Sequence, residues 1–444
     1  IDQHANGTRS DHKGCRGKAA GEAIAGPAIA RQPQQRRHQA PGADRVGRIA
    51  GLGQGFLVAL DPINLLYCFI GVFIGTLVGL TIIAAMPTQL LRGNLSNEND
   101  RARLRRALQA QQQPCLDRGY PWGGLCGWIE YDGSFLFGEY PQMLVYCHHQ
   151  QMWHERGTLS QMMQVPMKVS QCEISAFTAT MSRDEFLQKV ASIQQWIAAG
   201  DIYQVNLTQQ FVASCQGDAH LFDIYRALRD RSPAPMAGWM NLGGKEVLSS
   251  SPETFLKISG SMIETRPIKG TRPRYADPDE DRRSAYELQS SPKEIAELVM
   301  ITDLLRNDLG QVCDYGSVRV DEMLQLETLE QVFHLVSTVR GKMRADSDVV
   351  SALHACFPGG SITGAPKKRA MEIIAELETV PRGLYCGAMG YLGYNGESQM
   401  NIVIRTLVRE DEKLHYHVGA GIVADSDAEN EYQETLQKAQ GITL

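Results

Sequence analysis

Met236-Ala-Gly-Trp-Met-Asn-Leu-Gly-Gly-Lys-Glu-Val-Leu-Ser-Ser-Ser-Pro-Glu-Thr-Phe-Leu-Lys-Ile-Ser-Gly-Ser-Met-Ile-Glu-Thr-Arg-Pro-Ile268 is a series of short apolar runs cut by Gly243-Gly244 and Gly260-Ser261. Runs of this length bounded by glycine turns read as strands, and such turns fold the chain back antiparallel to itself. The stretch predicts an antiparallel meander. Upstream, Ser182-Arg-Asp-Glu185 gives a capping-box start, Phe186, Val190, Ile193 and Ile197 share one helical face, and Gly200 stops the helix. Residues 202–212 follow as a strand. Downstream, Ser291-Pro-Lys-Glu294 opens a second helix, with serine at the cap and proline at the first position. Ile295, Leu298, Val299 and Thr302 form its apolar stripe, and Gly310 ends it. From about Asn97 onward the chain reads as one soluble α/β body without internal repeats.

The chain has 444 residues and 43% hydrophobic content, enough for a large core. Its net charge of −6 lacks the basic footprint of a nucleic-acid binder, so no nucleic-acid partner is expected. The ten cysteines are scattered without a Cys-x-x-Cys pair, which speaks against structural zinc and against a disulfide framework. A reducing cytoplasm fits that usage.

The N-terminal zone has a different character. Residues 1–62 are rich in Gly, Ala, Arg and Gln with little hydrophobic periodicity, so disorder is expected there. Ile63 to Met86 contains no charged residue and is long enough to span a bilayer, while a buried glycine-rich core helix is the plainer alternative. Its length and position disfavour a secretory signal. The expected organisation is therefore 1–62 disordered, 63–92 an apolar segment that spans a membrane or marks a fusion, and 93–444 the functional body. Membrane contact, if any, runs through 63–86.

Two acidic pairs and several isolated groups could carry chemistry. Glu294 and Glu297 share a face of the helix opened by Ser291, and Asp425-Ser426-Asp427 precedes another helix carrying Glu431 and Glu434. A Glu-x-x-Glu pair on a solvated face is commonplace, and Glu294 has an ordinary use in its capping box. If the pairs converge, however, four carboxylates need a cation, and magnesium suits that donor set. Glu253 lies between two expected strands, a rigid place for a general acid and also an ordinary loop position. Lys269 follows a strand with Gly270 beside it. Arg266, Arg272 and Arg274 would disfavour its protonated form if they crowd it, making it a candidate nucleophile. Gly359-Gly-Ser-Ile-Thr-Gly-Ala-Pro366 leads into a helix near Lys367, a suitable anion seat. Gly419-Ala420-Gly421 after a strand at 415–418 reads as close backbone approach or a tight turn. Cys147, His148, His149 and His154 are a weaker metal candidate.

Taken together, the ordered blocks resemble the chorismate-utilising enzymes, a family that includes the first components of anthranilate synthase and aminodeoxychorismate synthase. The carriers are Gly200-Asp-Ile-Tyr-Gln204, Ser251-Pro-Glu253, Pro267-Ile-Lys-Gly-Thr271, Glu294 through Gly310, His334-Leu-Val-Ser337, Ser361-Ile-Thr-Gly-Ala-Pro-Lys367, Asn401-Ile-Val-Ile-Arg405 and Gly419-Ala-Gly-Ile-Val-Ala-Asp-Ser426. Separately, residues 63–80 resemble the first helix of a tripartite tricarboxylate transporter large subunit.

The family resemblance implies an α+β fold, a four-layer α/β/β/α sandwich around two large, mostly antiparallel sheets. It implies magnesium on Glu297 and Glu434, with Glu294 and Glu431 in support. Tyr385, Arg405 and the amides around Gly419, Ala420 and Gly421 would grip substrate carboxylates, Ser361 and His334 would line the ring pocket, and Glu253 would assist departure of the ring hydroxyl. Relatives that add water use a lysine where this chain has Gln204, and those making anthranilate usually have alanine where it has Lys269. The resemblance thus implies chorismate as substrate, Lys269 as a covalent nucleophile and 4-amino-4-deoxychorismate as product, on the route to 4-aminobenzoate and folate. Ammonia would come from a separate glutamine amidotransferase, since no glutaminase motif appears. The alternatives are anthranilate formation and, in another class, a membrane-tethered, inactive body. Residues 1–92 match nothing in the family, so the synthase body is expected to be N-terminally incomplete and their deletion to leave catalysis no worse.

Overall fold

The stretch Met236–Ile268 forms hairpins, but they part at Ser251-Pro252-Glu253. In the computed structural model, which describes residues 73–77, 79–114, 119–162, 173–217 and 221–442, Met236–Leu242 pairs with Lys245–Ser251, and Thr254–Ser259 with Met262–Arg266. The first hairpin belongs to one sheet and the second to another. The expected single meander is therefore corrected to two hairpins. Pro252 has no N–H with which to extend the ladder. Ser251 Oγ donates instead to the Ile402 carbonyl, at 2.6 Å, and the chain crosses between the sheets at Glu253.

Among the described residues the first sheet has 12 strands. Its main path runs Gly364–Ala365, Gln204–Gln216, Lys413–Ile422, Thr406–Glu410, Lys245–Ser251, Met236–Leu242, Phe73–Leu77, Leu80–Ala84, Met143–Cys147, Met152–Arg156. The second has 10, in the order Ile268–Pro273, Val332–Lys342, Met262–Arg266, Thr254–Ser259, Glu397–Ile402, Ala388–Gly393, Gly124–Ile129, Ser134–Tyr140, Gln89–Asn94, with Arg319–Thr328 also on Val332–Lys342. Neighbouring strands pair antiparallel throughout, as in the long match of Val205–Ser214 with Ile422–Lys413.

Three interleaved cores make four layers. Helices Arg183–Ala199, Phe222–Arg231, Lys367–Leu377 and Ala428–Gln440 cover the outer face of the first sheet. Helices Glu98–Ala110, Pro278–Ser290, Pro292–Gly310 and Val349–Cys356 cover the second. Between the sheets, Ile82, Met240 and Val247 of the first meet Trp128, Leu136 and Tyr391 of the second. The fold is an α+β, four-layer α/β/β/α sandwich.

The N-terminal expectation needs correction where it can be followed. The chain divides after Leu52, and every described residue lies in the second unit, Gly53–Leu444. Residues 1–62, and 63–72 of the apolar segment, lie outside the described residues. The rest of that segment is not helical. Phe73–Leu77 and Leu80–Ala84 are strands inside the first sheet, and Gln89–Asn94 is an edge strand of the second. β-branched Ile74, Thr76, Thr81, Ile82 and Ile83 favour strands, and glycines at 75 and 79 weaken a helix. The body thus begins before residue 93. Among the described residues no helix is long and apolar enough to cross a membrane.

Candidate active site

Two helix starts aim the acidic pairs into one opening. Ser291 Oγ accepts from the Glu294 N–H at 3.4 Å, fixing the first turn of Pro292–Gly310 and the face that carries Glu294 and Glu297. Asp427 caps Ala428–Gln440 by accepting from the Asn430 N–H at 2.9 Å, which sets Glu431 and Glu434. The pairs converge: Glu294 lies in the fields of Glu297 and Glu434, and Lys293 in those of Glu431, Glu297 and Glu434. Burial first, and then the Glu297 charge, hold the Glu294 carboxyl above its usual range.

Each carboxylate meets a cation. Glu297 faces Lys269 at 3.7 Å, Glu294 faces Arg272 at 3.9 Å, Glu431 faces Lys293 at 3.3 Å, and Glu434 faces Lys438 at 2.7 Å. Ser426 Oγ also donates to Glu431, at 2.7 Å. Burial pushes the Glu434 carboxyl up, but Lys438, Lys293 and Lys269 together hold it below its ordinary value. Gln204 donates to Glu297 from Nε2 at 3.4 Å, so Gln204 and Lys269 reach the same carboxylate.

Lys269 owes its place to a bulge between Lys269 and Thr271 against Val332–Lys342. Gly270 has φ +74°, and a Cβ there would sit 2.6 Å from Leu288 Cδ1 and 3.0 Å from Glu294 Oε2. Only glycine allows this approach. The arginine crowding expected at Lys269 is corrected: Arg266 pairs with Glu327, Arg272 with Glu294 and Arg274 with Asp281, while Lys269 faces a carboxylate.

Glu253 is 5% exposed at the crossing between the sheets. Burial raises its carboxyl to about 7, against the opposing pull of the Ser361 hydroxyl, the Lys269 charge and the Ile268 N–H. A group half-protonated near neutrality can deliver a proton. His334 stands opposite Thr271, whose Oγ1 is 3.0 Å from Nδ1, and its Nε2 is buried without a partner. Burial, with the Arg405 charge nearby, lowers it to about 4, so the ring is neutral.

Arg405 adopts φ +50°, a left-handed conformation uncommon outside glycine. Burial alone lowers its pKa, and among the described residues no carboxylate reaches its guanidinium. Tyr385 stacks on His417 with ring centroids 5.2 Å apart. Gly419, Ala420 and Gly421 lie within the strand Lys413–Ile422 rather than after it, opposite Thr208, Leu207 and Asn206. A Cβ on Gly419 would come within 2.4 Å of Asn206 Oδ1, and one on Gly421 within 2.4 Å of Gln204 Nε2. Close approach, not a turn, requires these glycines.

The structure therefore brings the sequence-derived residues together, but not the histidine cluster. His148 bonds Thr81, His154 bonds Gln150 and stacks on Tyr120, and Cys147 is buried. Sequence reading missed Thr271, Lys293, Ser426, Lys438 and the buried pair Arg382–Glu378. Two of these carry a local signal, because Lys438 and Arg382 each follow a glutamate by four residues.

The donor set suits magnesium, a hard ion that takes one or two carboxylates and keeps waters. No group of three His, Cys, Asp or Glu residues among those described is close enough to enclose a metal. Glu297 and Glu434, from different helices, are the residues that would hold it.

Comparison with known proteins follows this geometry. The chain is 47% identical over 268 residues to aminodeoxychorismate synthase component 1 of Klebsiella aerogenes, covering 60% of this chain and 59% of that protein. It is 45% identical over 267 residues to anthranilate synthase component 1 of Streptomyces coelicolor, covering 60% and 52%. The crystal structure of anthranilate synthase component I from Streptococcus pneumoniae superposes with a TM-score of 0.70 at 27% identity, covering 82% of this chain and 92% of that one. The matched region spans under two thirds of either curated relative. The model of the chorismate binding enzyme family matches residues 81–444, and the chain belongs to that family.

Proposed function

We propose that the chain aminates chorismate at the ring 4-position, giving 4-amino-4-deoxychorismate for 4-aminobenzoate and folate synthesis, with ammonia from a separate glutamine amidotransferase. The observation that carries this reading is the placement of Lys269 between Glu297 and Glu253. Bound magnesium would neutralise the substrate's ring carboxylate and draw off electron density. Arg405, half-buried and with no carboxylate reaching it among the described residues, suits the second carboxylate, which a guanidinium can clamp at two points.

The Lys269 amine forms a bond at the ring 2-position as the double bonds shift and the 4-hydroxyl leaves, taking a proton from Glu253 and departing as water. Ammonia then bonds at the 4-position with its lone pair, the double bonds shift back, and the Lys269–carbon bond breaks with its electron pair leaving on the lysine nitrogen. Ammonia gives up one proton, and the amine is regenerated. Gln204 has no basic atom with which to activate water, which supports ammonia as the nucleophile. The buried free thiols fit a reducing cytoplasm.

Mass spectrometry after incubation with chorismate, magnesium and ammonium tests the reading. The product should retain its enolpyruvyl group and carry a new amino group, and Lys269→Ala should lose the covalent adduct. Free pyruvate and anthranilate would favour the second reading, which the similar identity to anthranilate synthases supports.

A further inference from the structure

Arg382 and Glu378 form an ion pair whose side chains are only 1% and 6% exposed, joined from Nη2 at 2.7 Å and from Nε at 2.8 Å. The remaining side-chain hydrogen bonds of the pair all go to backbone. Arg382 Nη1 donates to the Ile362 carbonyl at 3.0 Å, and Nη2 donates to the Asn206 carbonyl at 2.7 Å. Glu378 Oε1 accepts from the Thr208 N–H at 3.1 Å. The Arg382 carbonyl accepts from the Tyr385 N–H at 3.0 Å, and its guanidinium lies 4.7 Å from the centre of the Tyr131 ring.

Most of these partners lie beside candidate substrate contacts: Thr208 stands opposite Gly419, and Tyr385 is held through the main-chain turn that starts at Arg382. Ile362 follows Ser361, Asn206 lies two residues beyond Gln204, and Tyr385 is itself a candidate. The neighbouring strand Gly364–Ala365 pairs only with Gln204 and Val205. Between that point and Phe211–Val212, where Thr178–Ala179 takes up the pairing, this side-chain pair satisfies the Asn206 carbonyl and the Thr208 N–H in place of another strand. We propose that Arg382–Glu378 is a positioning pair, which sets Ser361, Gln204 and Tyr385 in one fixed relation across three separate chain segments.

Stability alone does not call for such a pair, because packed apolar side chains often replace a buried ion pair without loss. What apolar residues cannot supply is direction. The planar guanidinium fixes the angles among its acceptors, and neither lysine nor methionine does.

The test compares Glu378→Gln, Arg382→Lys and the double variant Arg382→Met with Glu378→Leu in the full chain. Thermal melting, amide hydrogen exchange and chorismate kinetics are read for each. The double variant should melt close to wild type, yet exchange faster in residues 204–208, 359–366 and 382–387 and not elsewhere. The kinetic arm alone rests on the proposed function: kcat/KM for chorismate should fall about 100-fold, as expected for reacting groups misplaced by an ångström, while magnesium affinity stays unchanged. Faster exchange in only one of the three segments, or activity lost merely in step with melting temperature, would overturn the proposal. If the double variant does not fold, Glu378→Gln, which keeps the shape, decides by the same criteria. A wild-type chain inert toward chorismate would sink the functional reading, and the exchange data would still decide this one.

Discussion

Glu253 shows how much one residue's surroundings decide. Its carboxyl has an ordinary value of 4.5, and burial at the crossing between sheets lifts it to about 7. Between those values the native chain holds a proton that the unfolded chain has lost, so stability falls as pH rises through that window. Glu253→Gln should flatten this slope in a series of melts across pH. It should also lower kcat at least about 100-fold, the usual scale for a lost general acid. Wild-type kcat should decline above about pH 7, where the proton is gone; a kcat indifferent to the substitution would remove Glu253 from the chemistry. Glu297 and Glu434 give a separate prediction. Replacing either by glutamine should weaken magnesium binding in calorimetric titration and abolish most activity while circular dichroism stays native. Activity that survives both changes, or a chelator, would end the metal assignment. The sequence offered each of these residues as a candidate. It could not show that helices more than a hundred residues apart aim them at one another, because convergence is a tertiary property.

Elements were legible where the signal is local. Ser182 and Ser291 cap their helices as the spacing indicates, and glycine pairs close the hairpins. In the Ser182 box only the serine half forms, since Glu185 turns to Lys189. What failed was the assignment of apolar runs whose neighbours lie far away. A strand buried on both faces shows a continuous apolar run, and periodicity alone cannot separate that from a buried helix. Residues 80–84 are such a case, and Ile82, Ile83 and Ala84 are wholly buried. The consequence reverses the sequence-based expectation for a deletion. Removing residues 1–92 takes away Leu80, Ile82, Ile83 and Leu91, each contributing about 1.5–3 kcal/mol of burial. Their sum rivals the roughly 5–15 kcal/mol that holds a typical domain together. Such a variant should be insoluble or lack a cooperative melt. A cooperative, active 1–92 deletion would show these strands to be dispensable.

At the scale of the whole molecule, the two sheets and their helices assemble the site proposed above for amination, while the described cysteines offer no chemistry for releasing ammonia from glutamine. A glutaminase thiol must be accessible and hold its proton weakly. Among the described residues the cysteines at 126, 147, 215, 313, 356 and 386 are all buried. Burial pushes Cys313 up to about 11 and Cys386 up to about 12, the opposite of activation. The purified chain should therefore form product from chorismate with ammonium salts and none with glutamine. Its rate at fixed total ammonium should rise with pH as more free base is present, until loss of the Glu253 proton opposes it. Adding a glutamine amidotransferase of the matching kind should confer glutamine use without altering the product. Both arms are read by following the same product mass. Product from glutamine alone would mean that the chain carries its own glutaminase nucleophile, and the need for a separate subunit would fall while the amination site stood.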